Sequence, residues 1–309
     1  MSRSSKSLTS YTNFWTMNPK TWKYLVNIGL LLKYKTLNIN KLPSSIQLPS
    51  SLNLHVNPNE NRGRALLVSN GITQKQLLKF WVESVSSFYP SIVLDIGVNY
   101  GECLFSVQYP YSTKIFGIEA NEQLFEYIMR TQSEHPNRFQ MNILHAFASN
   151  QDQQSQDFFV DKNWSGTSSG RAIYPSMVEK KVVQTITVDT LLRNFDLEKE
   201  RILFKIDVEG YEAFVVEGMQ QVIREAKEML GIIEFDNDYL ERAGMKADMF
   251  LTRLSSLFKI YYFNKNGELQ ELSPHTYRQL QNRLHSSHIH MDLVLLKTSN
   301  HIPIINLLR

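Results

Sequence analysis

The stretch Ile92-Val93-Leu94-Asp95-Ile96-Gly97-Val98-Asn99-Tyr100-Gly101 decides the fold. It opens as a run of β-forming apolar residues that meets a carboxylate, and it continues with an asparagine between two glycines. A strand buried on both faces reads as such a run. The turn that follows needs glycine, because the backbone must fold tightly and leave room for a ligand. Leu104, Phe105 and Val107 are the apolar members of the next segment and predict a helix over 102–108. Strand, glycine turn and helix together are the opening unit of an open α/β sheet. Such sheets bind their ligands in the crevice at the carboxyl ends of the strands.

The same unit recurs along the chain. Residues 114–120 read as a second strand ending at Glu119, and Asn121 is a good N-cap for a helix to about 133. Residues 139–147 are a third strand candidate, followed by small residues. Residues 201–207 form the fourth strand, ending at Asp207, and residues 229–233 the fifth, ending at Glu234. Residues 257–263 and 291–297 read as the last two strands, with a helix over 277–284 between them. Upstream, Thr73 and Gln76 form a capping box for a helix over 73–88 with an apolar stripe. These elements predict a Rossmann-like α/β fold. Its sheet has seven strands, mostly parallel with the last antiparallel, and helices cover both faces. Period-two alternation over 181–188 marks 151–188 as a β insertion. Residues 1–70 read as a partly helical extension, with a short helix at 24–32 flanked by Lys20, Lys23, Lys33 and Lys35. The main domain is then 71–299, and 300–309 is an apolar tail expected to pack on the body.

The bulk properties narrow the field. The chain has 309 residues, 42% hydrophobic and 20% charged, as an ordinary globular protein does. A net charge of +3 is too small to argue for nucleic acid. A lone cysteine, Cys103, excludes an internal disulfide framework. No apolar run approaches the roughly 20 residues of a membrane span. The Ser-rich start, residues 1–10, has no apolar core beside it, so a cytoplasmic protein is expected.

Asp95, Glu119, Asp207 and Glu234 stand at corresponding strand ends, so the topology gathers four acids on one crevice. The first turn reads D-x-G-x-N-x-G, not the G-x-G-x-x-G that cradles a pyrophosphate. An acid leading the turn suits a cofactor with a cationic amino-acid end, which S-adenosylmethionine has and a dinucleotide lacks. In that reading Asp95 accepts from the ammonium. Gly97, Asn99 and Gly101 form the turn that admits the methionine and ribose. Glu119 accepts the ribose hydroxyls, and Ala146, Phe147 and Ala148 flank the adenine.

Four segments carry a family resemblance: residues 93–101, residues 117–121, Thr185-Ile186-Thr187-Val188-Asp189-Thr190-Leu191, and Phe204-Lys205-Ile206-Asp207-Val208-Glu209-Gly210-Tyr211-Glu212. With Glu234 in Ile232-Ile233-Glu234-Phe235, they resemble an FkbM-family methyltransferase of the S-adenosylmethionine-dependent class I superfamily. The match spans about residues 90–240. Val98 and Ala120 stand where the family pattern usually has Ala and Pro. The resemblance implies methyl transfer, typically to a hydroxyl of a small molecule or glycan acceptor. It places Asp207, Glu209 and Lys205 as catalytic candidates, with Lys205 suited equally to an ion pair. Glu234, Trp164 and Ser168 are substrate candidates, the latter two on a loop that can act as a lid. Carboxylates at the ends of strands four and five also invite a Mg²⁺, but the sequence assigns no metal ligands. His285, His288 and His290 are expected to lie far from the chemistry. Two rival readings keep the fold: a binding protein with a vestigial cofactor site, and an NAD-dependent oxidoreductase. A homo-oligomer is compatible with the sequence.

Overall fold

A computed structural model describes residues 19–161, 164–171, 178–272 and 277–298. The Ser-rich start and the 300–309 tail lie outside the described residues. The chain begins with helix α1 (Pro19–Tyr34), a hairpin of β1 (Ser45–Gln47) and β2 (Asn53–His55), and α2 (Asn61–Val68). Next come α3 (Lys75–Phe88), β3 (Ile92–Ile96), β4 (Lys114–Glu119), α4 (Glu122–Glu134) and β5 (Met141–His145). The insertion supplies β6 (Phe147–Ala148), β7 (Ser155–Asp161) and β8 (Val178–Ile186). After it lie α5 (Val188–Leu192), β9 (Arg201–Ile206), α6 (Glu212–Glu217), α7 (Gln220–Glu225) and β10 (Glu228–Asp236). The chain closes with α8 (Asn237–Arg242), α9 (Ala247–Leu257), β11 (Lys259–Phe263), β12 (Leu269–Glu271), α10 (Tyr277–Leu284) and β13 (His290–Lys297).

The main sheet has eight strands in the order β12-β11-β13-β10-β9-β3-β4-β5. β3, β4, β5, β9 and β10 pair in parallel, and β13 is antiparallel to both β10 and β11. The expected seven strands with an antiparallel last one are therefore present. The eighth, β12, is a three-residue edge strand paired to β11, too short to announce itself by alternation. β6, β8 and β7 form a separate three-stranded sheet in the insertion.

Strand alternation sorts the core into two layers. Ile92, Leu94, Ile96, Phe204 and Ile206 face one layer with Val215, Val222, Leu251 and Leu254 of the helices that follow β9 and β10. Val93, Leu203, Leu230 and Ile232 face the other, with Leu77, Phe80 and Trp81 of α3 and Leu124 and Ile128 of α4. Leu30, Ile46, Leu54, Leu66 and Leu67 join this second layer, so the chain before residue 70 is packed into the body. None of the described helices is long and apolar enough to cross a membrane.

Two local expectations change. The segment after Gly101 is a series of turns, not a helix. Its leading residue, Glu102, is spent on caps elsewhere. Its carboxylate accepts from the Thr73 amide, from Thr73 Oγ1 at 2.7 Å and from the Gln74 amide at 3.1 Å, and it pairs with Arg62 at 3.0 Å. The second change follows from the first: α3 starts at Lys75, and this remote carboxylate takes the place of the Thr73–Gln76 box. In α4, by contrast, Asn121 caps as its residue type predicts, accepting from the Gln123 amide at 3.1 Å.

Just past α4, His135 is 2% exposed. Its Nε2 lies 3.1 Å from the Val107 carbonyl, and its Nδ1 accepts from the Asn137 amide at 3.1 Å. A ring that donates at one nitrogen and accepts at the other is neutral. Burial therefore lowers its pKa from 6.5 to about 4, against the Val107 bond, which raises it. Because the folded value lies below the unfolded one, the stability this ring confers is full above about pH 6.5. It is lost as pH falls toward 4. Denaturation midpoints should drop over that window in the native chain, and His135→Gln should flatten the slope.

Candidate active site

The carboxyl edge of the sheet opens into a cleft with a cavity volume of about 210 Å³. Gly97, Asn99 and Glu119 form one wall, Ala146, Phe147 and Ala148 the next, and Asp207, Glu209 and Glu234 the floor opposite. Trp164, Ser165, Gly166, Thr167 and Ser168 of the insertion line it as well.

Parallel register explains the gathering. Asp95 is paired with Gly117 of β4 on one side and Lys205 of β9 on the other. Gly97 has φ +83°, and a Cβ there would stand 1.8 Å from the Asp207 carbonyl oxygen. Only glycine lets the first turn lie against the fourth strand's end. Gly101, at φ +77°, gives the same freedom against the Phe105 ring but does not line the cleft. Glu119 is buried, and backbone amides fix both of its oxygens. Oε2 accepts from Asn99 at 2.7 Å and Oε1 from Asn121 at 2.8 Å. Burial raises its pKa, and those amides oppose the rise.

Asp95 and Lys205 do not reach the cleft. They are direct cross-strand partners on the α3 face, and both are buried. The Lys205 ammonium donates to the Gly97 carbonyl at 2.9 Å. It also lies 3.3 Å from Asp95 Oδ1 and 3.3 Å from Asp207 Oδ2. Burial alone would lower its pKa, but Asp207 and Asp95 reverse that and hold it charged. Asp95 thus pairs with Lys205, and Lys205 tethers Asp95, the Gly97 carbonyl and Asp207 to one another.

The turn after β9 is ordered by Glu212, a residue without a role in the sequence reading. Its carboxylate accepts from the Val208 amide at 3.0 Å and from the Gly210 amide at 3.0 and 3.1 Å. Burial raises its pKa to about 7 against those bonds. Glu212 therefore ties the turn together, and Glu209, at φ +54°, lines the cleft. Burial pushes the Glu209 carboxyl well up, and Asp207 and Glu212 push it further. Glu234 is pushed up in the same way, by burial and then by Glu209 and Asp207.

Sequence reading missed two contributions. The extension reaches the 164–168 loop. Glu60 accepts from the Ser165 amide at 2.9 Å and from the Tyr100 hydroxyl at 3.1 Å. Trp164 is clamped between Trp22, edge-on at 4.7 Å, and the Arg62 guanidinium at 5.4 Å. Ser168 Oγ accepts from the Asp161 amide at 3.0 Å and lines the cleft. His288 and His290 were expected far away, yet both line the cleft, whereas His285 does not. The antiparallel register places His290 opposite Asp236, so β13 begins at the edge where β10 ends. That last-strand reversal was the available signal.

A Rossmann-like sheet with acids and a glycine turn at its carboxyl edge defines the class: an open α/β fold with its cleft at the strand ends. The methyltransferase FkbM domain matches residues 95–278. The chain belongs to this family of S-adenosylmethionine-dependent methyltransferases. Among solved structures it is similar to the O-methyltransferase TomG from Streptomyces achromogenes in complex with SAM. That likeness has 10% identity over 92% of this chain and 100% of that one, with a TM-score of 0.41. It is also similar to a precorrin-6y C5,15-methyltransferase from Geobacter metallireducens, at 10% identity over 74% and 90% with a TM-score of 0.38. A putative O-methyltransferase from Klebsiella pneumoniae has 9% identity over 74% and 82%, with a TM-score of 0.40. No curated protein matches the sequence.

Removing the tether leaves a buried carboxylate unpaired, a loss worth about 3–5 kcal/mol. Lys205→Met should lower unfolding free energy by that order in urea titration. The double change with Asp95→Leu should recover part of it.

Proposed function

We propose that this chain transfers the methyl group of S-adenosylmethionine to a hydroxyl oxygen of a small-molecule or glycan acceptor. The observation that carries the reading is Glu119. It is a buried carboxylate at the end of β4, aimed by the Asn99 and Asn121 amides, and it lines the cleft beside Gly97. With both oxygens held, its remaining lone pairs suit paired hydroxyls such as those of a ribose.

The residues present fit the cofactor. Gly97 keeps the approach open, Ile118 and Phe147 give apolar walls for a base, and the acidic floor suits a cationic sulfur. The cofactor supplies an electrophilic methyl group on a sulfonium. Everything else falls to the chain's own residues. Ala146, Phe147 and Ala148 flank the adenine, and Asn99 shapes the turn around the methionine end. Glu209 is the base for the acceptor hydroxyl: it lines the cleft, and burial raises its proton affinity above that of an ordinary carboxylate. Asp207 stays bound to Lys205 and holds the turn in place. Trp164 and Ser168 lie over the acceptor and exclude water, and Glu234 faces it from the floor. The buried Cys103 thiol suits the reducing interior of a cell.

Calorimetric titration with S-adenosylhomocysteine is the test. Native protein should bind, and Glu119→Ala should weaken binding at least tenfold, about 1.5–3 kcal/mol for hydrogen bonds to a charged group. An absence of heat and of any thermal shift with the native chain would overturn the reading. Once an acceptor is found, Glu209→Gln should lower kcat about 10²-fold or more with KM little changed.

A further inference from the structure

Asp207, Glu209 and Glu234 each bring one carboxylate oxygen into a group whose members lie within 4.8 Å of one another. Ligands on opposite sides of a Mg²⁺-sized ion stand roughly 4 Å apart, twice the metal–oxygen distance. Small side-chain shifts would therefore close this group on a cation. Proximity of acids alone would not make a site. Here, however, Glu234 is 9% exposed and its Oε2 is fully shielded with no hydrogen-bond partner. A buried carboxylate oxygen without a donor carries a penalty of about 1–3 kcal/mol or more, so a missing partner is expected.

The surrounding charges do not supply that partner. Lys205 lies 3.3 Å from Asp207 Oδ2 and is shared with Asp95 and the Gly97 carbonyl. Among the described residues, the nearest cation-forming group to Glu234 is His290, whose Nε2 is 3.8 Å from Oε1. His290 is itself held by Asp236, with Nδ1 2.8 Å from Oδ2. A carboxylate that fixes one ring nitrogen and turns the other toward a group of acids is the arrangement that supports metal ligands.

We propose that Asp207, Glu209 and Glu234 bind one hard divalent cation of the Mg²⁺ or Mn²⁺ class, with His290 oriented at its edge by Asp236. The cation binds the acceptor's oxygen at the floor of the cleft, which rests on the methyltransferase reading above. Its charge lowers the pKa of the bound hydroxyl. The O–H proton passes to a free carboxylate oxygen of the same group. The new O–C bond then forms as the C–S bond breaks, its electron pair returning to sulfur as a neutral thioether.

The experiment uses the full chain stripped with chelator and titrated with MnCl₂, reading the free-Mn²⁺ paramagnetic resonance signal. The expected result is one Mn²⁺ per chain, competed by Mg²⁺, with affinity at least about tenfold weaker in Glu234→Gln. Native protein that leaves the signal undiminished at millimolar Mn²⁺ overturns the site, as does equal binding by Glu234→Gln. If Glu234→Gln fails to fold by circular dichroism, Glu209→Gln is judged by the same criterion. S-adenosylhomocysteine binding is measured in parallel with chelator present. Its persistence without Mn²⁺ binding defeats only the cation site. Its absence alongside Mn²⁺ binding defeats only the methyltransferase reading.

Discussion

One buried ammonium holds the cleft together. Lys205 sits on the inward face of β9, opposite Asp95 in register, and reaches past it to the Gly97 carbonyl and to Asp207. Those contacts tie the ends of two adjacent parallel strands and both turns that follow them. A charge buried this deeply is tolerated only when paired and hydrogen-bonded. The geometry of the first turn therefore depends on the fourth strand's motif. The requirement is mutual, since Gly97 must lack a side chain for the Asp207 carbonyl to approach.

With that tether in place, the carboxyl edge divides its acids by task. Asp95 neutralises Lys205 on the core side. Glu212 takes the turn amides, and Glu119 takes the amides of Asn99 and Asn121. Glu209 and Glu234 are left facing the cleft, where burial and neighbouring carboxylates raise their pKa values. A floor of this kind suits cationic or proton-donating ligands and disfavours a pyrophosphate. The same physics underlies the cofactor reading and the cation site.

Much of this was legible in the sequence because it is written in short windows. The run into Asp95, the Gly97 turn, Glu119 with the Asn121 cap, and the segment from Lys205 to Glu212 each lie within about ten residues of chain. Local periodicity and turn chemistry report on them directly. What stayed hidden depends on contacts between distant segments. Glu102 caps α3 across 28 and 29 residues, which removes a predicted helix and a predicted capping box together. Glu60 meets the loop at Ser165, 105 residues away. The pairing of Asp95 with Lys205, 110 residues on, shows only in the strand register. The histidines looked remote until the reversed last strand brought His288 and His290 to the cleft.

The central claim is that this cleft holds S-adenosylmethionine with its ribose on Glu119 and its sulfur over the acidic floor. A crystal structure of the chain grown with S-adenosylhomocysteine tests it most directly. The account predicts ribose hydroxyls within hydrogen-bond distance of the Glu119 carboxylate, adenine between Ile118 and Phe147, and sulfur facing Asp207 and Glu209. Asp95 should remain on Lys205. A ligand bound elsewhere, or one whose ribose stands clear of Glu119, would contradict it.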